Sequence, residues 1–474
     1  MNNLELLDKF LIMETQANLF DIQISRIKIW QFIRNEIYGE ILRKKFNIDK
    51  SGKSDKEAGF YLHLNGMINF VLNSIKILLK PPKQSEVLVF CHPRRKRENS
   101  FYEDIYTDPL LRNFPFSFVV LESFFKLSHL RPVQTKNLYY LDFIEYPSRF
   151  SSYIKRHKIN CKEKEIIKDI ESILMKNFNL KVNLFNLVNK ILVRYSFIYP
   201  KLKSLFIRIR PKVVIEVVNY NFISQIANCI CKELKISSIE LQHGVMSNYH
   251  IGYNYSEIIK PESFPNYIFV WGDYWKHNSR FPIHNNNIIS CGFPFLENAV
   301  KKYSKDLSKK IIVLSQGPIG KKLSDIIFDL SRRDLMKEHT FIYKIHPAEK
   351  SIAKIKYKKL YSSKNIKVID DDKTDLYELF AESEFQIGVH STAIIEGIEF
   401  GLKTIIIKLP GWKYFKTFED EEGIYFVQSP LEMEKIISSR KDKIISSKLT
   451  EKFWERDSLN KIINKISTIA NHKK

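Results

Sequence analysis

A histidine, two hydroxyls and a carboxylate crowd into the stretch Gly388-Val389-His390-Ser391-Thr392-Ala393-Ile394-Ile395-Glu396-Gly397. Residues 384–389 read as a buried strand and residues 393–400 as a helix, so the hydroxyls of Ser391 and Thr392 stand at a helix N-terminus. Unpaired amides and the positive end of the helix dipole make such a terminus a site for phosphate. Glu396 follows one turn later on the face of Thr392, placed to accept hydrogen bonds from a ribose. Upstream, Phe341-Ile342-Tyr343-Lys344-Ile345-His346-Pro347 reads as a strand closed by a proline, which lacks a ladder donor. His346 and Pro347 are thereby presented at a strand's carboxyl end, where open α/β sheets bind ligands. The loop Ser315-Gln316-Gly317-Pro318-Ile319-Gly320 follows another strand, and its small residues permit close approach of Gln316 and Gly317 to a phosphate. These residues form the expected nucleotide grip.

A different chemistry is suggested by Ile239-Glu240-Leu241-Gln242-His243-Gly244, again a short apolar strand followed by a histidine. His243 has the side chain best suited to general base work near neutral pH. Glu240 and Glu216 are rivals, since a carboxylate borne on a buried strand is open to pKa tuning. Glu216 sits in the apolar run 213–218, where a buried salt bridge is the plainer reading. Arg94, Arg95 and Arg97 follow the strand 86–90 and are candidates for meeting an anionic acceptor. Asp370, Asp371 and Asp372 read as a solvated loop rather than a metal site, and no metal ligand set is assigned.

The elements that would position these groups are apolar runs alternating with helical patterns. Strands are expected at 86–90, 116–121, 137–141, 212–218, 236–241, 266–271 and 288–291, then at 311–315, 340–345, 366–369, 384–389 and 404–408. Continuous apolar runs fit strands covered on both faces. The expected class is α/β, with two Rossmann-like doubly wound parallel sheets and an N-terminal helical segment. The domains are drawn as a helical segment 1–82, an acceptor-side domain 83–295 with a helical insertion near 150–208, a nucleotide-binding domain 310–445, and a C-terminal helix 446–474. Phe20, Ile24, Ile27, Trp30, Ile33, Ile37 and Ile41 define one apolar helix face in the first segment. Residues 296–309, polar and rich in lysine, read as a hinge, and a ligand-binding cleft between the two domains is expected.

With 474 residues, 44% hydrophobic and 13% aromatic, the chain is globular and too long for one core. Its net charge of +23 favours an anionic partner, unless it reflects only a lysine-rich surface. Five scattered cysteines without Cys-x-x-Cys spacing argue against a disulfide framework or zinc site and fit a reducing cytoplasm. No secretory signal is visible at the N-terminus. Residues 67–79 are too interrupted to span a bilayer; they are read first as a core-facing helix and second as one lying on a membrane surface.

In this order, Gln242-His243-Gly244, His346-Pro347 and Ser391-Thr392 with Glu396 resemble motifs of bacterial glycosyltransferases of the two-Rossmann GT-B architecture that build capsules and lipopolysaccharide. His346-Pro347 and Ser391-Thr392 are similar to the donor-contacting motifs of sialyltransferases, and Gln242-His243-Gly244 resembles a motif of 3-deoxy-manno-octulosonate (Kdo) transferases. Trp271-Gly272-Asp273 followed by Gly292-Phe293-Pro294 also looks like these capsule proteins, so that the likeness spans roughly residues 212–412. The acidic pair followed by glycine that serves sialyltransferases as base is missing from the first domain; Glu421-Glu422-Gly423 lies in the wrong one. The resemblance implies a metal-independent glycosyltransferase without a cofactor, using a nucleotide-sugar donor, with CMP-sugars favoured. Its acceptor would be an anionic glycan or lipid-linked molecule, and its place the cytoplasm or the inner face of the cytoplasmic membrane. The alternative enzyme is a CDP-polyol phosphotransferase of teichoic-acid-like synthesis. The non-enzyme alternative is a basic protein binding nucleic acid or a membrane surface; no motif for nucleic-acid recognition supports the former.

Overall fold

The computed structural model describes residues 3–45, 56–98, 100–125, 127–303, 309–317, 319–371, 373–439, 445 and 447–471. Contacts divide the chain into one unit of residues 1–270, 275–290 and 459–474, and another of residues 271–274 and 291–458. Each is an α/β unit around a parallel sheet, the expected class.

In the first unit the strands are β1 (Val87–Phe90), β2 (Phe118–Glu122), β3 (Leu138–Tyr140), β4 (Val213–Glu216), β5 (Ser237–Leu241), β6 (Tyr267–Val270) and β7 (Ile288–Ser290). They lie in the order β7-β6-β5-β4-β1-β2-β3, all parallel. The chain therefore builds outward from β1 in one direction and returns to start again at β4 on β1's other side. Around the sheet pack helices α1 (Asn3–Gln16), α2 (Trp30–Lys45), α3 (Lys56–Leu79), α4 (Asp142–Ile154), α5 (Cys161–Phe178), α6 (Leu184–Ile209) and α7 (Phe222–Leu234). Every residue of β1 and β4 is buried, as central parallel strands require.

The second unit holds β8 (Lys310–Leu314), β9 (Thr340–Lys344), β10 (Ile366–Ile369), β11 (Phe385–Gly388), β12 (Lys403–Ile407) and β13 (Ile424–Val427), in the order β10-β9-β8-β11-β12-β13. All are parallel, and this is the Rossmann strand order, reversing between β8 and β11. Ile311, Val313, Phe341, Ile387 and Ile405 of the strands pack with Leu323 and Ile327 of α8 (Gly320–Ser331) in one core. Helix α9 (Thr392–Glu399) follows β11 and lies unusually close to it, because Gly397 presents no side chain. A Cβ there would come within 2.2 Å of Gln386 Oε1. Gln386 Nε2 in turn donates to the Ile394 carbonyl at 2.8 Å and to Thr404 Oγ1 at 2.8 Å, tying β11, α9 and β12 together.

Several expectations are corrected. The apolar series from Phe20 to Ile41 is not one helix: Phe20 lies in a short 3-10 turn, Ile24 and Ile27 pair in a two-stranded hairpin, and α2 starts at Trp30. The expected hinge begins as a helix, Pro294–Lys302; residues 304–308 fall outside the described residues. The basic run after β1 leads into a hairpin, Lys96–Glu98 against Phe101–Glu103. Strand β13 was not foreseen. The C-terminal segment is two helices, Ser447–Phe453 and Ser458–Asn471.

Gly397→Ala must either displace the Gln386 amide from its two hydrogen bonds or push α9 off β11. The expected result is a loss of about 1–3 kcal/mol, read as a fall of several degrees in Tm. An unchanged melting curve would show that the helix–strand distance is slack.

Candidate functional site

In the second unit the switch between β8 and β11 is bridged by a direct contact. The Gln316 side chain, in the loop after β8, accepts the His390 backbone N–H at 3.0 Å, in the loop after β11. Ser391 then caps α9, its Oγ accepting the Ala393 N–H at 3.2 Å. Thr392 and Glu396 are half-buried on the same helix. The His390 ring stacks on Tyr414 with centroids 5.4 Å apart, and its Nδ1 is buried without a hydrogen-bond partner among the described residues. Gly411, at φ 104°, makes room for that ring; a Cβ would sit 2.3 Å from Nδ1. Burial holds the His390 pKa below its ordinary value, so the ring is neutral.

The loop after β8 is pinned from behind. Lys356 Nζ donates to the Gly317 carbonyl at 3.0 Å, Tyr357 Oη to Glu349 Oε2 at 2.9 Å, and Tyr343 Oη to the Gly320 carbonyl at 3.2 Å. Helix α8 starts here without a side-chain cap, which leaves its first amides to other partners. His346 lies two residues past the end of β9 and is exposed; the side chain of Pro347 lies outside the described residues. Gln316 and Gly317, His346, and Ser391 and Thr392 thus stand at the carboxyl ends of β8, β9 and β11, neighbours in the order β9-β8-β11. Asp371 accepts the amides of Lys373 and Thr374, each at 2.7 Å, and Asp370 accepts the Tyr361 hydroxyl at 2.6 Å, so these two close their own loop. Among the described residues no cluster of ligand-type side chains is arranged to hold a metal ion.

The first unit gathers a polar cluster at the ends of β1, β4 and β5. Glu216 and Glu240 are opposite each other in the β4–β5 register and are fully buried. Glu216 Oε1 accepts from Asn228 Nδ2 at 2.7 Å. Glu240 Oε1 accepts from the Tyr253 hydroxyl at 2.8 Å and the Asn219 amide at 3.2 Å. Burial pushes the Glu240 pKa up to about 7, held back by those hydrogen bonds. Burial and the adjacent Glu240 push Glu216 well above the usual carboxylate range.

His243 lies just past β5, with its side chain 14% exposed. Its Nε2 is 3.1 Å from the Tyr220 hydroxyl, and its Nδ1 is 3.5 Å from Tyr253 Oη and 3.8 Å from Glu240 Oε1. Burial, with His92, His250 and Arg94 nearby, lowers its pKa to about 3. His92 faces it at 6.2 Å between centroids, and burial lowers His92 to about 4. His243 is therefore a neutral imidazole with a lone pair, reached from Glu240 through Tyr253. An anion bound beside it would raise its basicity toward the range useful for proton transfer.

The three arginines part company. Arg94 is exposed, its guanidinium 5.1 Å from the Phe125 ring centroid, and Arg97 is exposed on the hairpin. Arg95 is buried: its Nε donates to Glu122 Oε2 at 2.6 Å and its Nη1 to Asp108 Oδ2 and Thr135 Oγ1, each at 2.9 Å. Its guanidinium locks the loop after β1 and is committed to these partners.

Sequence reasoning left His390 without a role and passed over His92, Tyr220 and Tyr253. His92-Pro93 was open to recognition, since it repeats the strand–His–Pro order of 341–347 after β1. The tyrosines carry no comparable pattern.

No protein-family pattern and no curated protein sequence matches the chain. Among solved structures, a UDP-GlcNAc 2-epimerase from Methanocaldococcus jannaschii is 13% identical, covering 81% of this chain and 99% of that one, with a TM-score of 0.48. A Neisseria meningitidis UDP-GlcNAc 2-epimerase bound to UDP-GlcNAc is 12% identical over 81% of this chain and 98% of its own, at 0.45. The wall teichoic acid polymerase TagF is 11% identical over 88% of this chain and 98% of its own, at 0.44. Likenesses this loose carry nothing about activity.

The raised Glu240 pKa has a stability consequence. A carboxyl titrating near 7 in the folded chain and near 4.5 in the unfolded one stabilises the fold below the lower value and loses that contribution as pH rises through the upper one. The wild type loses on the order of 3 kcal/mol this way between those limits, and Glu240→Gln, which cannot ionise, does not. The Tm deficit of Glu240→Gln relative to wild type should therefore shrink from pH 5 to pH 8. A deficit constant across that range would refute the buried, protonatable carboxyl.

Proposed function

We propose that the protein is a glycosyltransferase that moves a sugar from a nucleotide-activated donor, a CMP-sugar by preference, to a surface polysaccharide or lipid-linked acceptor. The observation that carries this reading is the Gln316–His390 contact across the β8/β11 switch, immediately before a Ser391-capped helix. A strand-order reversal, a half-buried imidazole and the starts of α8 and α9 together suit a nucleotide phosphate. In this reading Gln316, Gly317, His346, Ser391 and Thr392 hold the phosphate, and Glu396 takes the ribose. The positive helix ends offset the charge that grows on the leaving phosphate.

In the first unit His243 takes the proton of the acceptor hydroxyl. The hydroxyl oxygen attacks the anomeric carbon, the bond from that carbon to the phosphate oxygen breaks, and the nucleotide leaves with the electron pair. Glu240 is a positioning residue that acts on His243 through Tyr253. Glu216 stands beside it in the sheet, and burial and Glu240 raise its own pKa. Arg94 and Arg97 face an anionic acceptor, whereas Arg95 keeps their loop in place.

Among the described residues no helix is long and apolar enough to cross a membrane. One surface suits an anionic bilayer instead. On α3, Gly66, Phe70, Asn73 and Ile77 face inward, and Gly66 and Phe70 lie against Tyr146 of α4. The outward residues Met67, Ile68, Val71, Leu72, Ile75, Leu78 and Leu79 are all large, apolar and exposed. Exposed Lys76, Lys80 and Lys83 border this face, as anionic headgroups require. This reading places the enzyme on the inner membrane surface, beside a lipid-linked acceptor.

Titration of CMP, CDP, UDP and GDP tests the nucleotide reading. A cytidine nucleotide at a hundred times its Kd should stabilise the protein by about 2.7 kcal/mol, and His346→Ala or His390→Ala should remove most of that shift. Stabilisation by none of the four would end the reading. Phosphate gained by the acceptor, with release of CMP, would instead identify polyol phosphotransfer. For the surface, co-sedimentation with phosphatidylglycerol vesicles should fall at least tenfold in the Val71→Asp/Leu72→Asp/Leu79→Asp variant and with added salt. Equal binding to phosphatidylcholine vesicles would refute it.

A further inference from the structure

A cavity of about 300 Å³ opens in the first unit at the switch between β1 and β4. Its walls are the loop after β1 with His92 and Pro93, the loop after β2 with Ser123 and Phe124, and the turn from β4 into α7. Three charged side chains line it: Glu145 and Arg149 from α4, and Arg194 from α6. Glu145 is 3% exposed, and among the described residues its Oε1 is buried without a hydrogen-bond partner; burial raises its pKa, opposed by Arg149, the Ser123 hydroxyl and Arg194. Arg149 Nη2 stands 3.6 Å from the other carboxylate oxygen, with its own side chain 48% exposed at the mouth. Arg194 lies with its guanidinium 4.6 Å from the Phe222 ring centroid, and its Nε is also buried without a partner among the described residues. An unpartnered buried acceptor and an unpartnered buried donor therefore line one chamber. Such groups are costly to leave unmade.

Helix α7 points its start into the same space. Asn221 caps it through the Ser224 amide at 2.8 Å, but the amides of Phe222 and Ile223 have no carbonyl within the helix to donate to. Two guanidiniums against one carboxylate leave the chamber net positive, and the helix end adds to that. Phe90, Phe124 and Phe222 supply apolar wall.

The geometry points to a subsite for one acidic saccharide unit of the acceptor. A ring hydroxyl donates to Glu145 Oε1, a carboxylate or phosphate oxygen accepts from Arg194 Nε and the α7 amides, and the ring face lies on the phenylalanines. Size fits a single sugar unit better than a nucleotide, since about 300 Å³ is at the small end of ligand pockets. His92 is common to the cavity wall and to the His243 cluster, which sets the bound unit beside the proposed base. This assignment rests on the transfer reading for its role as acceptor site, and on the cavity alone for its ligand.

The test measures binding of glucuronate, glucose 6-phosphate and glucose to the full chain by calorimetry, with CMP or CDP titrated into the same samples. One or both acidic sugars should bind at least tenfold tighter than glucose, and which of the two does so separates carboxylate from phosphate recognition. Arg194→Gln should reduce that preference roughly tenfold or more and leave nucleotide binding unchanged. Arg149→Gln, at the exposed mouth, should reduce it less and guards against a misfolded Arg194 variant. Equal binding of glucose and both acidic sugars, or a preference that survives both substitutions, overturns the subsite. Acidic-sugar binding without any nucleotide binding would leave the subsite standing and remove the glycosyltransferase reading.

Discussion

The constraint on which the rest depends is the reversal of strand order in a parallel sheet. When a chain lays strands outward from a central one and then returns to the other side, the two loops at that point diverge to opposite faces. Their backbone groups and the helix starts that follow them are left facing a gap. Both units are built this way, between β1 and β4 and between β8 and β11. In the second unit this brings together Gln316 and His390, which are far apart in the chain. In the first it brings the loop after β1 to the turn leading into α7 and leaves the cavity between them. Side-chain chemistry decides what each gap can hold, but the topology decides that a gap exists.

Holding polar groups at such a point requires that their own charges be managed. Glu216 and Glu240 stand side by side in the sheet, where two ionised carboxylates would repel each other in a medium that cannot hydrate them. Raised pKa values and donors from Asn228, Asn219 and Tyr253 answer this. Arg95 shows the other solution. Glu122 binds Arg95 with one oxygen and His129 Nδ1 with the other at 2.9 Å, and His129 Nε2 reaches Asp142 at 2.8 Å. A chain of complementary groups thus runs from the loop after β1 to α4, and it fixes one conformation of that loop. Buried pairs of this kind add little net stability, yet losing one partner would strand the other.

Apart from β13, the strands were readable because covered parallel strands are continuous apolar runs, and the helices between them were readable because their apolar residues recur at helical spacing. The segment from Phe20 to Ile41 was not, for a specific reason. Its hairpin turns at Ser25 and Arg26, both in the left-handed region with φ 51° and 64°, without the glycine or asparagine that marks such a turn. Spacing of three and four is then shared by a hairpin leading into a helix. The arginines illustrate a second limit. Arg94, Arg95 and Arg97 are alike in sequence, and only the fold makes Arg95 the buried member. For the same reason Arg149 and Arg194, on different helices, share a cavity that no spacing could announce.

The two centres use imidazole in complementary ways. In the second unit burial keeps His390 neutral, so positive potential comes mainly from helix starts, whose sign does not change with pH. In the first unit burial empties His243, His92 and His250 of protons, with Arg94 adding to the effect at His243 and His92. Burial is the largest of these causes; the cavity beside them carries an excess of guanidinium charge, and an acidic occupant would add a negative charge that favours protonation. Occupation by the correct acceptor would thus itself raise the basicity of His243. Recognition and proton transfer would be coupled through electrostatics alone, with a neutral sugar leaving the imidazole a poor base.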